Sequence, residues 1–409
     1  METKLIDVTD LENAKARLAY AGSVLRAGGL VAFPTETVYG LGGDALNPNA
    51  AADIYQAKGR PSDNPLIVHI ADKEELSLLT DKVSLDAEKL MEAFWPGPLT
   101  MIFEKKPEVP WATTGGLDTV AVRMPDHPAA LALIREAGCP LSGPSANLSG
   151  RPSPTRWEHV YEDLNGRIDV ILQAEPCRVG IESTVVDMTG DIPVILRPGI
   201  LTPDQMEGVV SGKVVYDPAL FVNRPRDVSP EAAVAAEKKR GKSGVEAGTA
   251  PGGGCGVEAG TAYGLESGRG RGVECGLGSG VEAGPEAGAL SGGECGPASE
   301  PAPKSPGMKY RHYAPRAEMI LYQGAPDRVR RAVEDRRRAE EAKGKKTGVL
   351  LFEGEDARLV ARDFFAALRR MDSEGVDLIL AAALDKRDPV SFSVMNRMLK
   401  SAGYHIVEV

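Results

Sequence analysis

The chain has 409 residues and a formal net charge of −10, long enough for two or three domains that each bury a core. That acidity argues against a general nucleic-acid binder, which carries a basic footprint. However, residues 241–300 alone hold eight Glu against three Lys or Arg, so the remainder is only mildly acidic and leaves room for a basic cleft.

The opening Met-Glu-Thr-Lys-Leu-Ile-Asp has no apolar h-region. The longest clean apolar run, Leu378 to Leu384, is too short to span a bilayer, so a cytoplasmic protein without a membrane partner is expected. Over about 1–220, helices and strands alternate. Asp10 is placed to cap a helix running to Gly28 and Gly29, and Leu30 to Phe33 reads as a short apolar strand stopped by Pro34. Asn47-Pro48 supplies an N-cap and a first-turn proline for a helix through Tyr55 and Ala57, and Leu66 to Ile70 is the next strand. Further strands are expected at Leu99–Phe103, Thr119–Arg123, Asp169–Leu172, Ser183–Asp187 and Val194–Arg197, with helices near 84–94, 127–137 and 155–163. This α/β pattern with some non-alternating strands predicts a mixed sheet.

Two stretches there, Phe33 to Leu41 (Phe-Pro-Thr-Glu-Thr-Val-Tyr-Gly-Leu) and Lys58 to Leu66 (Lys-Gly-Arg-Pro-Ser-Asp-Asn-Pro-Leu), look built to hold a phosphorylated ligand. In an extended segment Lys58 and Arg60 share a face, with Asn64 a short turn beyond. His69, on an otherwise apolar strand, is either a ligand-facing group or a satisfied core histidine. Trp95-Pro-Gly-Pro98 reads as a rigid corner without chemistry. Alternation puts Thr119, Ala121 and Arg123 on one face, with Arg123 either gripping a ligand carboxylate or exposed at a sheet edge. Ser142 to Gly150, followed by Arg151-Pro-Ser153, is either an anion-binding concavity or an ordinary polar loop. Gly180–Asp187 and Ile195–Gly199 place Ser183 and Arg197 at strand ends, where α/β sheets bind ligands. Cys139 and Cys177 read as buried free thiols.

Residues 241–300 contain twenty Gly and one aromatic residue, Tyr263, so they cannot offset their ordering entropy and read as a flexible tether. Cys255, Cys275 and Cys295 recur there every twenty residues without a Cys-x-x-Cys or a partner His, which favours duplicated low-complexity sequence over metal ligands. Beyond it, strands at Met319–Tyr322, Val349–Phe352, Val376–Ala381 and His405–Val409 alternate with helices at 326–343, 363–373 and 391–402, which predicts a small parallel sheet. That region shows no catalytic cluster, and a regulatory or docking module is expected. The chain has no Gly-x-x-x-x-Gly-Lys-Ser/Thr loop, no Gly-x-Gly-x-x-Gly after the first strand and no His-Glu-x-x-His, so any use of ATP follows another design.

Lys58-Gly-Arg-Pro61 with Asn64-Pro-Leu66, Ser145-Ala-Asn-Leu-Ser-Gly150 and Tyr310-Arg-His-Tyr-Ala-Pro315, in this order, resemble the YrdC family. The layout resembles the longer, two-domain L-threonylcarbamoyladenylate synthases. The resemblance implies a YrdC-like twisted mixed sheet with helices over 1–220, a Gly-rich linker over 221–307, and a small Rossmann-like parallel α/β domain over 308–409. It implies that L-threonine, bicarbonate or CO2, and ATP give threonylcarbamoyl-AMP and pyrophosphate. The product would pass to a tRNA threonylcarbamoyl transferase, with direct RNA contact a further expectation.

Carried over by position, Thr37, His69, Arg123, Gly143 and Ser183 correspond to the L-threonine pocket. Lys58, Arg60, Asn64, Thr119, Ser145, Ser153, Arg197 and His312 correspond to ATP contacts. Lys58 and Arg60 are the expected catalytic cations, acting with Mg2+ by positioning and charge neutralisation, and no covalent nucleophile is required. The resemblance names no protein metal ligands. A linker this long and Gly-rich departs from the family's, which folds over the site, so closure by His312 is expected to be looser. Two rival readings stay open: a carbamoyltransferase, and a noncatalytic double-stranded RNA-binding module using the same cationic cleft.

Overall fold

A computed structural model describes residues 2–221, 303, 305, 312–352 and 354–409. The expected linker, apart from Phe221, Pro303 and Ser305, lies outside these described residues, as do Cys255, Cys275, Cys295 and Lys309-Tyr-Arg311.

The strands are β1 (Lys4–Asp7), β2 (Val31–Phe33), β3 (Gly40–Asp44), β4 (Ile67–His69), β5 (Leu99–Glu104), β6 (Thr119–Arg123), β7 (Leu141–Ser142), β8 (Val170–Gln173), β9 (Thr184–Asp187), β10 (Val194–Arg197) and β11 (Val215–Tyr216), followed by β12 (Glu318–Gln323), β13 (Thr347–Leu350), β14 (Leu378–Ala382) and β15 (Ile406–Glu408). The first eleven form one sheet in the order β1-β8-β2-β3-β7-β4-β6-β5-β9-β10-β11. It is mixed, as expected: β4 and β6 are parallel, while β5 and β6, and β9 and β10, are antiparallel.

The helix Pro48–Lys58 starts as read from the sequence, with the Asn47 side chain accepting from the Asn49 amide, and stops at Gly59, whose φ of +60 suits glycine. Lys58 is therefore the last residue of a helix and not part of an extended run with Arg60, because the left-handed turn at Gly59 intervenes. The first helix is Lys15–Arg26 and has no side-chain cap, since Asp10 instead bonds Asn13. β3 gave no signal because its Gly40, Leu41, Gly42 and Gly43 lack strand propensity. Its glycines are needed for packing, as a Cβ on Gly40 would stand 2.8 Å from the Phe33 ring.

The last four strands form a separate parallel sheet, β13-β14-β12-β15. Helix Pro326–Glu341 covers one face through Val329 and Val333. The helices Ala357–Ser373 and Pro389–Ser401 cover the other, and their Phe364, Phe365, Val394 and Met398 share a core with Val38, Ile181 and Ile200 of the larger region. Fully burying such side chains contributes about 1.5–3 kcal/mol each. The C-terminal region is thus fixed to the larger one within one compact unit. Among the described residues, no helix is long and apolar enough to cross a membrane.

Candidate active site

Strands β4, β6 and β10 point the same way, because β6 and β10 are related through antiparallel β5, parallel β9 and an antiparallel turn back. Their last residues are His69, Arg123 and Arg197, so three candidate side chains end on one edge of the sheet. In register, His69 stands beside Arg123 and Arg123 beside Thr100. The Thr100 hydroxyl is 2.7 Å from the Ser183 hydroxyl, which also accepts from Arg197 Nη2 at 3.0 Å.

Arg123 lies inside the sheet with only 4 % of its surface exposed, so it is no edge-strand cation. Its Nη1 donates to Thr37 Oγ1 at 2.8 Å and its Nε to the Gly97 carbonyl at 3.2 Å, and its Nη2 forms a close ion pair with Glu36 at 2.6 Å without hydrogen-bond alignment. The Trp95–Pro98 corner therefore helps to aim Arg123. Nε and Nη1 are thus held by the protein, while Nη2 has no aligned hydrogen-bond partner among the described residues and the side chain lines a cavity.

The polar loop after β7 is built around Lys58. Its Nζ donates to the Asn147 carbonyl at 2.6 Å and to the Ser145 carbonyl, and Ser145 Oγ donates to Asn147 Oδ1 at 2.6 Å. Arg60 donates Nε to the Asn64 carbonyl and Nη2 to the Pro65 carbonyl. Gly143 passes so near His69 that a Cβ on it would stand 2.6 Å from Nδ1. The Nδ1 of His69 and the Nε2 of His312 are buried without a hydrogen-bond partner among the described residues.

One cavity brings together Thr37, Lys58, Arg60, His69, Arg123, Gly143, Ser145, Ser153, Ser183, Arg197 and His312. Asn64 and Thr119 are not among its lining residues. Asn64 is buried behind Arg60, while Thr119 starts β6 opposite Glu104, at the far end of the strand from Arg123. Thr35, Asn147, Arg151, Glu182 and Tyr313 also line the cavity. All five lie in or beside segments that already stood out in the sequence.

Positive charge is crowded here. Burial, then the neighbouring Arg60, pushes the Lys58 ammonium well below its ordinary value, and burial lowers Arg60 to about 10. Burial, then Arg123, drives His69 to about 3, so its imidazole is neutral, and burial with Arg60, Lys400, Arg197 and Lys58 pushes His312 well down. Cations that resist their own charge are suited to an anionic ligand, which restores it.

A sequence profile of the Sua5/YciO/YrdC family, described as telomere recombination, matches residues 23–199. A second, described as the C-terminal domain of threonylcarbamoyl-AMP synthase, matches residues 281–403. The threonylcarbamoyl-AMP synthase of Pyrococcus abyssi is 39% identical over 418 residues and that of Bacillus subtilis 38% identical over 427, each match spanning 100% of both chains. The crystal structure of P. abyssi Sua5 complexed with L-threonine is similar over 100% of both chains, with 38% identity and a TM-score of 0.77.

Proposed function

The chain belongs to the two-domain threonylcarbamoyl-AMP synthases of the Sua5/YciO/YrdC family, and we propose that its cavity at the edge formed by β4, β6 and β10 is where that chemistry occurs. The protein is a nucleotidyltransferase that makes L-threonylcarbamoyl-AMP from L-threonine, bicarbonate or CO2, and ATP, releasing pyrophosphate. The observation that supports the assignment is that one cavity gathers Thr37, His69, Arg123 and Ser183 with Lys58, Arg60, Arg197 and His312. We read the first four as the polar, threonine end and the others as the ATP end, the two meeting where Arg197 Nη2 donates to Ser183 at 3.0 Å.

At the polar end, Arg123 and the Thr37 hydroxyl take threonine's carboxylate, with Glu36 and the Gly97 carbonyl holding the guanidinium in place. Neutral His69 leaves Nδ1 as an acceptor for threonine's polar hydrogens, and Gly143 leaves the space beside it. The amine adds to CO2, forming an N–C bond and losing a proton. The carbamate oxygen then attacks the α-phosphorus as the bond to pyrophosphate breaks. Lys58, Arg60 and Arg197 stabilise charge on the departing phosphates, so positioning and electrostatics do the catalytic work. Ser145, Ser153 and His312 complete the ATP contacts and Asn64 acts from behind Arg60, whereas Thr119, at the far end of β6, has no part in this reading.

Among the described residues no three His, Cys, Asp or Glu side chains gather to hold a metal ion. Glu182, the one carboxylate among the lining residues described, is already engaged by Ser153 and Arg397. These residues do not form a Mg2+ cage. Mg2+ commonly keeps its waters and binds through substrate phosphates, and we infer that it enters with ATP. The product is an activated acyl adenylate, so a second enzyme must consume it. We assign that role to a tRNA threonylcarbamoyl transferase in the cytoplasm, and we propose direct RNA contact by this chain as well.

Radiolabelled bicarbonate tests the reading. Label should enter an adenylate only when threonine and ATP are both present. Labelled carbamoyl transfer without threonine would favour a carbamoyltransferase, and RNA binding without turnover a noncatalytic module.

A further inference from the structure

Arg397, on the C-terminal helix Pro389–Ser401, is fully buried at 0 % exposure. A guanidinium costs several kcal/mol to desolvate, and an apolar side chain would fill a core position more cheaply. Its bonds explain its presence. Nε donates to Glu182 Oε2 at 3.1 Å, Nη1 to the Pro198 carbonyl and to the Ser393 carbonyl at 3.1 Å, and Nη2 to the Glu182 carbonyl at 3.5 Å. Glu182 directly precedes Ser183, and Pro198 directly follows Arg197. The other Glu182 oxygen, Oε1, accepts from Ser153 Oγ.

One guanidinium from the C-terminal region thus ties together the chain beside Ser183, the chain beside Arg197 and, through one carboxylate, Ser153. A second buried arginine works alongside it: Arg369, on the helix Ala357–Ser373, donates to the Pro152 carbonyl and pairs with Asp163 at 2.8 Å, bracing the chain just before Ser153. Glu182 and Arg197 both line the cavity, and the Glu182 charge offsets Arg197 as well as Arg397. Burial raises the Glu182 carboxyl, but Arg397, Arg197 and the Ser153 hydroxyl outweigh it and hold the group ionised.

We propose that Arg397 is a positioning residue for the ATP end of the site, acting through Glu182 and Pro198 on Ser153 and Arg197, and that this is what the C-terminal region contributes to turnover. The inference rests on the ATP-dependent reaction proposed above. It gives the C-terminal region, expected to be a regulatory or docking module, a supporting role directly behind the cavity lining.

The test compares the full wild-type chain with Arg397→Met and Arg397→Lys, measuring KM for ATP and for L-threonine and the melting temperature. Loss of a buried charge-assisted hydrogen bond is worth about tenfold or more. Arg397→Met should therefore raise the ATP KM about tenfold or more, with a smaller rise in the threonine KM transmitted through Ser183. Arg397→Lys keeps one charge but not the fork, so it should fall between the two. A folded Arg397→Met enzyme that melts earlier but keeps the wild-type ATP KM would make Arg397 merely structural and overturn the proposal. If Arg397→Met does not fold, Arg397→Lys decides, and an unchanged ATP KM in it has the same force. Should the wild-type protein show no threonine-dependent turnover, the functional reading fails separately. Calorimetric ATP binding by the same three proteins then tests the clamp on its own, and equal dissociation constants would overturn it.

Discussion

Arg123 Nη1 donates to Thr37 Oγ1 at 2.8 Å, joining the end of β6 to the Phe33–Leu41 segment across the polar end of the cavity. The bond places a guanidinium and a hydroxyl where a carboxylate can meet both. Arg123→Lys keeps the charge but loses the planar fork. It should raise the threonine KM by about tenfold to a hundredfold, the range for charge-assisted hydrogen bonds, with the ATP KM little changed. Steady-state kinetics in each substrate checks this, and parallel rises in both KM values would show that Arg123 supports the whole cavity instead.

Lys58→Ala and Arg60→Ala should each lower kcat/KM at least about a hundredfold, equivalent to about 2.7 kcal/mol at 1.36 kcal/mol per tenfold. They should differ in stability. Lys58 bonds the Ser145 and Asn147 carbonyls from a fully buried position, so its removal leaves those oxygens unmet and should lower the melting temperature. Near-normal turnover in both variants would refute the role given to the pair.

Binding of ATP should take up protons. Burial and neighbouring cations hold Lys58 and His312 below their ordinary values, and a bound polyanion moves both back upward. Calorimetry in buffers of different ionisation enthalpy, repeated from about pH 6 to about pH 10 so as to span the ordinary values of both groups, reads the net exchange directly. Proton release, or none, would contradict the electrostatic account.

Stability should fall on acidification below the ordinary histidine value of 6.5. Burial first, with Arg123 beside His69 and Arg369 beside His159, lowers each of these histidines to about 3. A group depressed in the folded state stabilises fully above its unfolded value and loses that contribution as pH falls toward the folded one. The slope is at most about 1.4 kcal/mol per pH unit for each histidine. His159 is away from the cavity lining and accepts from the Thr155 amide. Melting curves of His159→Asn should therefore show a shallower decline than wild type between about pH 6.5 and 5. An equally steep decline would remove His159 from the explanation.

Strands such as β4, β6 and β10 were legible because each apolar run ends in a polar or charged residue, and the Asn47-Pro48 start of the Lys58 helix because capping is local chemistry. The same locality hid the rest. Gly40–Asp44 pairs as a strand between β2 and β7, and its Gly40 leaves the room that the Phe33 ring takes up, a long-range fit that local propensity does not report. Lys58 and Arg60 converge through a left-handed turn and not through strand alternation, and the two cations meet the protein's own carbonyls as well as the cavity. Arg397 gave no signal: its partners Glu182 and Pro198 lie roughly two hundred positions earlier, at separations of 215 and 199. Short motifs marked most of the polar residues that line the cavity, whereas the residues that hold them in place come from the fold.

The most direct measurement is pyrophosphate release from ATP by the full chain, with L-threonine and bicarbonate each omitted in turn. Release should require both, and Arg123→Lys should recover it only at raised threonine. Release that continues unchanged without threonine would contradict a cavity shaped at one end for that amino acid.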